Sequence, residues 1–141
     1  MKDQEIAQTI RVTAEHQIPL AREAVLGLAR AIGFPRVTAY YAATAVSELA
    51  ANLVFHATQG GAITVRTLAS DGRLGIEILA EDSGPGIPDI SQALQDGFST
   101  RGSLGGGLPG VKRLMDGLEI SSAPGQGTRI RTWKWQPCKS R

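Results

Sequence analysis

The chain has 141 residues, enough for one domain with a sizeable core, and 42% of them are hydrophobic. Its formal net charge is only +2, and no basic patch with interleaved aromatics stands out, so nucleic acid is not an expected partner. A lone cysteine, Cys138, excludes an internal disulfide, and the lack of any apolar run of about 18 residues or signal peptide predicts a cytoplasmic chain with no membrane contact.

The pattern opens with a short strand over roughly residues 6 to 13, where Ile10 and Val12 alternate with polar neighbours. Pro19 suits the first turn of a helix. Leu20, Ala21, Ala24, Val25, Leu28, Ala29 and Ile32 continue its apolar stripe, and Gly33 stops it. A second helix is predicted from about Val37 to Ala57, with Val46, Leu49, Ala50 and Leu53 inward. After Gly60-Gly61, Ile63 and Val65 share one strand face, and Asp71-Gly72 marks a hairpin turn. The return strand carries Leu74, Ile76, Ile78 and Ala80 and ends at Glu81-Asp82.

A short helix is predicted after Pro88, then a mobile glycine-rich stretch over 96 to 108 and a helix from Gly110 to Met115. Leu118 and Ile120 begin a strand, Ala123 to Gly127 turn, and residues 128 to 135 form the last strand. The basic residues Arg129, Arg131, Lys134, Lys139 and Arg141 read as a solvated surface, and residues 136–141 as a flexible tail. This order predicts a single two-layer α/β (α+β) domain over 1–141. Its sheet is mixed and mainly antiparallel, with helices on one face.

Three segments carry the chemistry. Glu48 and Asn52, four apart on the second helix, share a face with Thr44 and His56. An Asn oxygen is a credible Mg²⁺ ligand, and Glu48 a base for a hydroxyl proton. The other reading is a solvated polar helix face. Asp82, at a strand end before Gly84 and Gly86, can accept from the amino group of adenine, or can close an Asx turn. Gly105, Gly106 and Gly107 can present backbone N–H groups to phosphate ahead of a helix start, or serve as a plain hinge. Lys112 and Arg113 read as solvated, and Thr128 is either a nucleotide contact or an ordinary strand residue. Together the segments point to a nucleotide site that uses ATP and Mg²⁺.

In that order and spacing, Glu48-Leu49-Ala50-Ala51-Asn52, Asp82-Ser83-Gly84-Pro85-Gly86 and Gly105-Gly106-Gly107-Leu108 resemble the gyrase/Hsp90/histidine kinase/MutL (GHKL) ATPase superfamily and its Bergerat ATP-binding fold. Within it, Glu81 to Ile90, Asp96 to Thr100 and Gly105 to Asp116 are similar to RsbT-like switch-protein serine/threonine kinases. The resemblance implies that Asn52 binds Mg²⁺, Glu48 is the base and Asp82 binds adenine beside Gly84 and Gly86. It places Gly105, Gly107, Leu108 and Gly110 around the phosphates and lid hinge, and Thr128 near the base. It further implies a kinase that phosphorylates STAS-domain antagonists (RsbS- or RsbR-like) in a stressosome or partner-switching module. A PP2C-type phosphatase or another output protein would lie downstream. An anti-sigma factor kinase that holds a sigma factor, and a non-catalytic nucleotide-gated binding module, are the competing readings.

Overall fold

Five strands pair in the order β1-β2-β3-β5-β4, and every pairing among them is antiparallel. They are β1 (Ala7–Val12), β2 (Gly61–Ser70), β3 (Arg73–Asp82), β4 (Gly117–Ser122) and β5 (Thr128–Trp135). Helices α1 (Ile18–Ala31), α2 (Arg36–His56) and α3 (Gly107–Leu114), with a 3₁₀ turn at Glu15–Gln17 before α1, complete the described elements. This computed structural model describes residues 6–56, 60–82, 107–122 and 127–137. The short helix expected after Pro88 and residues 96 to 106 of the glycine-rich stretch lie outside them.

Strand alternation decides which face each side chain takes. Val12, Ile63, Val65, Ile76, Ile78, Ala80 and Ile130 point to one side and are buried. Against them lie Ala21, Val25 and Leu28 of α1, Val46, Leu49, Ala50 and Leu53 of α2, and Val111 of α3. The inward residues expected on α2 are therefore all in the core. Its many alanines let α2 pack closely against the sheet and its neighbouring helices, and Ala42, Ala43 and Ala45 are fully buried.

The ends of α1 follow from its sequence. Pro19 sits in the first turn, where its missing N–H removes no helical bond. At the far end Gly33 N–H donates to Arg30 O (3.2 Å) and Phe34 N–H to Ala29 O (2.9 Å), the paired bonds of a Schellman motif. The β2–β3 turn falls at Asp71-Gly72, with Ser70 paired to Arg73 and φ of 52° and 77° at the two turn residues, as a type I′ hairpin requires.

Two expectations change. Helix α3 begins at Gly107, three residues before the predicted Gly110. Pro109 does not prevent this, because the first helical N–H groups have no intrahelical acceptor to lose. Gln136, expected in the flexible tail, is instead held in place. Gln136 N–H donates to Leu74 O (2.8 Å), and its side-chain amide donates to Ile32 O (3.3 Å) and Gly33 O (3.1 Å). Those bonds tie the end of β5 to the end of α1.

The outer face of the sheet corrects the reading of the basic strand as mere solvated surface. Glu77 is only 2% exposed, and Arg66 and Arg131 both pair with its carboxylate. Arg131 also reaches Glu119 at 3.4 Å and lies 4.5 Å from the Trp133 ring centroid. On the opposite, helix-facing side Lys134 is held by Leu114 O (2.7 Å) and Asp116 (3.8 Å) and lies 5.1 Å from the Tyr41 ring centroid. Cross-strand pairing brings Glu77, Arg66, Arg131 and Glu119 together from separate parts of the chain.

Burial pushes the Glu77 carboxyl up, but hydrogen bonds from Arg66 and Arg131 and their charges outweigh it, leaving the group below its ordinary value of 4.5. A lowered folded-state value means that the contribution to stability is present above 4.5 and is lost as pH falls through the folded value. Urea unfolding across the acid range should show wild type losing stability more steeply than Glu77→Gln. Parallel curves would contradict this role.

Candidate functional site

One row of paired residues crosses the whole sheet at a single end: Val12 with Gly61, Gly61 with Asp82, Asp82 with Thr128, and Thr128 with Ser122. Helix α2 closes on this end. A Cβ placed on Gly61 would lie 2.1 Å from Glu81 O and 2.9 Å from Leu53 Cδ2, so only glycine permits that approach of helix, strand and neighbour. The Asp82 end of β3 and the Asn52 end of α2 are thereby brought to one end of the domain.

Asp82 is half-buried and Thr128 buried. Ser122 Oγ donates to Gly127 O at 3.1 Å and lies 3.1 Å from Thr128 Oγ1. Glu81, Asp82, Ser121, Ser122, Gly127, Thr128 and Arg129 line a hollow of about 310 Å³, near the lower limit for a small-molecule pocket. On its rim Arg129 pairs with Glu81 at 3.6 Å, with both side chains half or more exposed. The hollow thus presents a carboxylate and two hydroxyls, a set able to accept from an amino group and to bond a ring nitrogen.

On α2, Glu48 is 2% exposed, which removes the solvated-face reading for this residue. The backbone N–H of Gly107 donates to Glu48 Oε1 at 3.2 Å. Helix α3 packs on α2, so this bond sets the carboxylate against the first residue of α3. The first N–H groups of such a helix have no intrahelical acceptor, and they are the kind of donor set a phosphate needs. Leu108 and Gly110 are buried in the same first turn. Asn52 follows Glu48 by one turn on the same side of α2 and is half-buried. An amide oxygen there is of a type that could hold a hard cation such as Mg²⁺. Thr44 is half-buried one turn before Glu48, while Lys112 and Arg113 are exposed.

Of the expected site residues, Glu48, Gly107, Leu108 and Gly110 therefore meet where α2 meets α3, Asn52 lies one helical turn further along α2, and Asp82 and Thr128 stand in the strand-end row. Gly84, Gly86 and Gly105 lie outside the described residues. Ser122 was missed. The signal was present, because a turn predicted at 123 to 127 sets residue 122 opposite 128.

The chain matches the family described as histidine kinase-like ATPase domain over residues 10–134. It is 46% identical over 126 residues to the serine/threonine-protein kinase RsbT of Bacillus subtilis, covering 89% of this chain and 94% of that protein. It is 39% identical over 97 residues to an anti-sigma F factor of Caldanaerobacter subterraneus, covering 65% and 66%. Among solved structures, the RsbU and RsbW domains of Rv1364c from Mycobacterium tuberculosis superpose with a TM-score of 0.61 at 18% identity, over 97% of this chain and 34% of that one. This last likeness concerns the fold alone.

Proposed function

This chain belongs to the histidine kinase-like ATPase domain family as an RsbT-like serine/threonine protein kinase, and we propose that it transfers phosphate from Mg·ATP to a STAS-domain antagonist in a partner-switching module. The observation that carries this reading is the buried Glu48 carboxylate held against the Gly107 N–H at the start of α3. It supports a base beside the start of α3, with a potential metal ligand, Asn52, one helical turn further along α2.

In this reading Asp82 accepts from the adenine amino group, and Thr128, supported by Ser122, bonds the ring. Gly84 and Gly86 give the base room. Gly105, Gly107, Leu108 and Gly110 frame the phosphates, and Asn52 holds Mg²⁺ through its side-chain oxygen. Bound Mg·ATP supplies a transferable γ-phosphoryl group whose charge the metal partly neutralises. Glu48 takes the proton of a serine or threonine hydroxyl on the partner. The phosphorylated antagonist then frees a PP2C-type phosphatase or another output protein, which sets a sigma-factor pathway. The entire chain acts as one kinase domain.

Incubation with γ-labelled ATP, Mg²⁺ and STAS-domain proteins tests this. Label on a serine or threonine of the STAS protein is the expected result. Tight retention of a sigma factor without a STAS substrate would favour the anti-sigma reading, which the 39% identity to an anti-sigma F factor keeps in view. Nucleotide binding with no transfer at all would favour a nucleotide-gated binding module.

Asp82→Asn replaces an acceptor oxygen by a donor amide. It should lower the preference for ATP over GTP while leaving the circular dichroism spectrum intact. Equal ATP affinity in wild type and variant would remove Asp82 from base recognition.

A further inference from the structure

The C-terminal end of α3, opposite the end that meets Glu48, is fastened by polar contacts that the nucleotide reading leaves unused. Lys134 stands on the helix-facing side of β5, and its side chain is only 15% exposed. Its Nζ donates at 2.7 Å to Leu114 O, the carbonyl of the last residue of the helix. Asp116 Oδ1 lies 3.8 Å from the same ammonium, and the ring centroid of Tyr41 on α2 lies 5.1 Å from it. Asp116 is in turn held by the backbone of β5. Its N–H donates to Trp133 O (2.9 Å), and its Oδ2 accepts from the Trp135 N–H (2.7 Å). A cation here faces the negative pole of the helix and gives a last-turn carbonyl the partner that the helix itself cannot.

We propose that Lys134 is a positioning residue for phosphate binding, an inference that rests on reading the start of α3 as the phosphate site. By fastening one end of α3, Lys134 keeps the other end, with the Gly107 N–H, set against Glu48. Helix α3 has eight residues, about 12 Å of length, too few to hold a helical shape unaided in water. Its buried residues, from Gly107 to Val111, decide which side turns inward. Apolar burial is non-directional, however, and does not by itself stop a short helix from tilting or sliding. Directional restraint comes from charged side chains outside the helix, Glu48 at its first residue and Lys134 at its last. The ammonium lies at the wrong end of the helix to touch a phosphate, so it acts through the placement of α3.

Calorimetric binding of Mg·ATP and of adenosine to wild type and Lys134→Met tests this. Methionine keeps most of the apolar stem and removes both charge and donor. Wild type should bind Mg·ATP more tightly than adenosine. In Lys134→Met the Mg·ATP affinity should fall roughly fivefold, the scale of one charge at a helix end, while adenosine affinity is unchanged. The Gly107 amide of the unliganded variant should exchange faster with solvent deuterium, and Lys134→Arg, which retains charge and donors, should restore both properties. Tyr41 is 44% exposed, so Tyr41→Leu removes the ring beside the ammonium without opening the core. It should lower Mg·ATP affinity about twofold with the same selectivity, and it decides the matter if Lys134→Met fails to fold. An unchanged preference for Mg·ATP over adenosine, equal losses of both affinities, or unchanged exchange at Gly107 would overturn the role of Lys134 and leave the phosphate site standing. No preference for Mg·ATP in wild type would remove the phosphate site, and this role with it.

Discussion

Asn52→Ala is expected to bring phosphotransfer below detection while leaving thermal unfolding close to wild type. The residue is half-buried, so its truncation opens no core cavity. What it removes is a neutral oxygen one helical turn from Glu48, where the metal would bridge to phosphate. Mg²⁺ is held by few protein ligands and keeps several waters, so losing one costs both affinity and geometry. Transfer assayed over a magnesium titration checks this. The variant should remain inactive where wild type is saturated, and wild-type activity at limiting Mg²⁺ would remove Asn52 as a ligand.

Glu48→Gln should slow transfer by roughly 10²-fold or more, the usual contribution of a positioned acid–base group. Glutamine retains an oxygen that can accept from the Gly107 N–H, so the contact between α2 and α3 should survive. ATP and partner binding should then persist while single-turnover transfer falls. Near-wild-type transfer would show that positioning and the metal dominate the chemistry. Lost partner binding with intact ATP binding would move Glu48 to a docking role.

What the sequence made legible was whatever local periodicity or turn chemistry dictates. The apolar stripe of α1, its stop near Gly33, the Asp71-Gly72 hairpin and the inward residues of β3 each follow from a few neighbouring positions. The strand end at Asp82 was equally readable, because the alternation stops there. Less legible were features made by residues distant in sequence. Glu48 and Gly107 are 59 residues apart, and nothing near Glu48 announces that its carboxylate is buried beneath another helix. Glu77 falls at a polar position of a strand. Only pairing with β2 and β5 brings Arg66 and Arg131 to it and turns an apparently solvated basic strand into a buried ion-pair cluster. The early start of α3 was hidden by its glycines and Pro109, which read as loop until the first helical turn is recognised as needing no N–H acceptors.

The account rests on one structural claim, that the α2–α3 junction and the strand-end row form a single nucleotide site. Titration of Mg·ATP into ¹⁵N-labelled protein, followed at individual backbone amides, tests it most directly. The amides of Gly107 and Leu108, and those of Asp82 and Thr128, should shift together along one binding curve that saturates at one nucleotide per chain. Shifts in only one of the two groups, two distinct saturation curves, or no response at either group would contradict it.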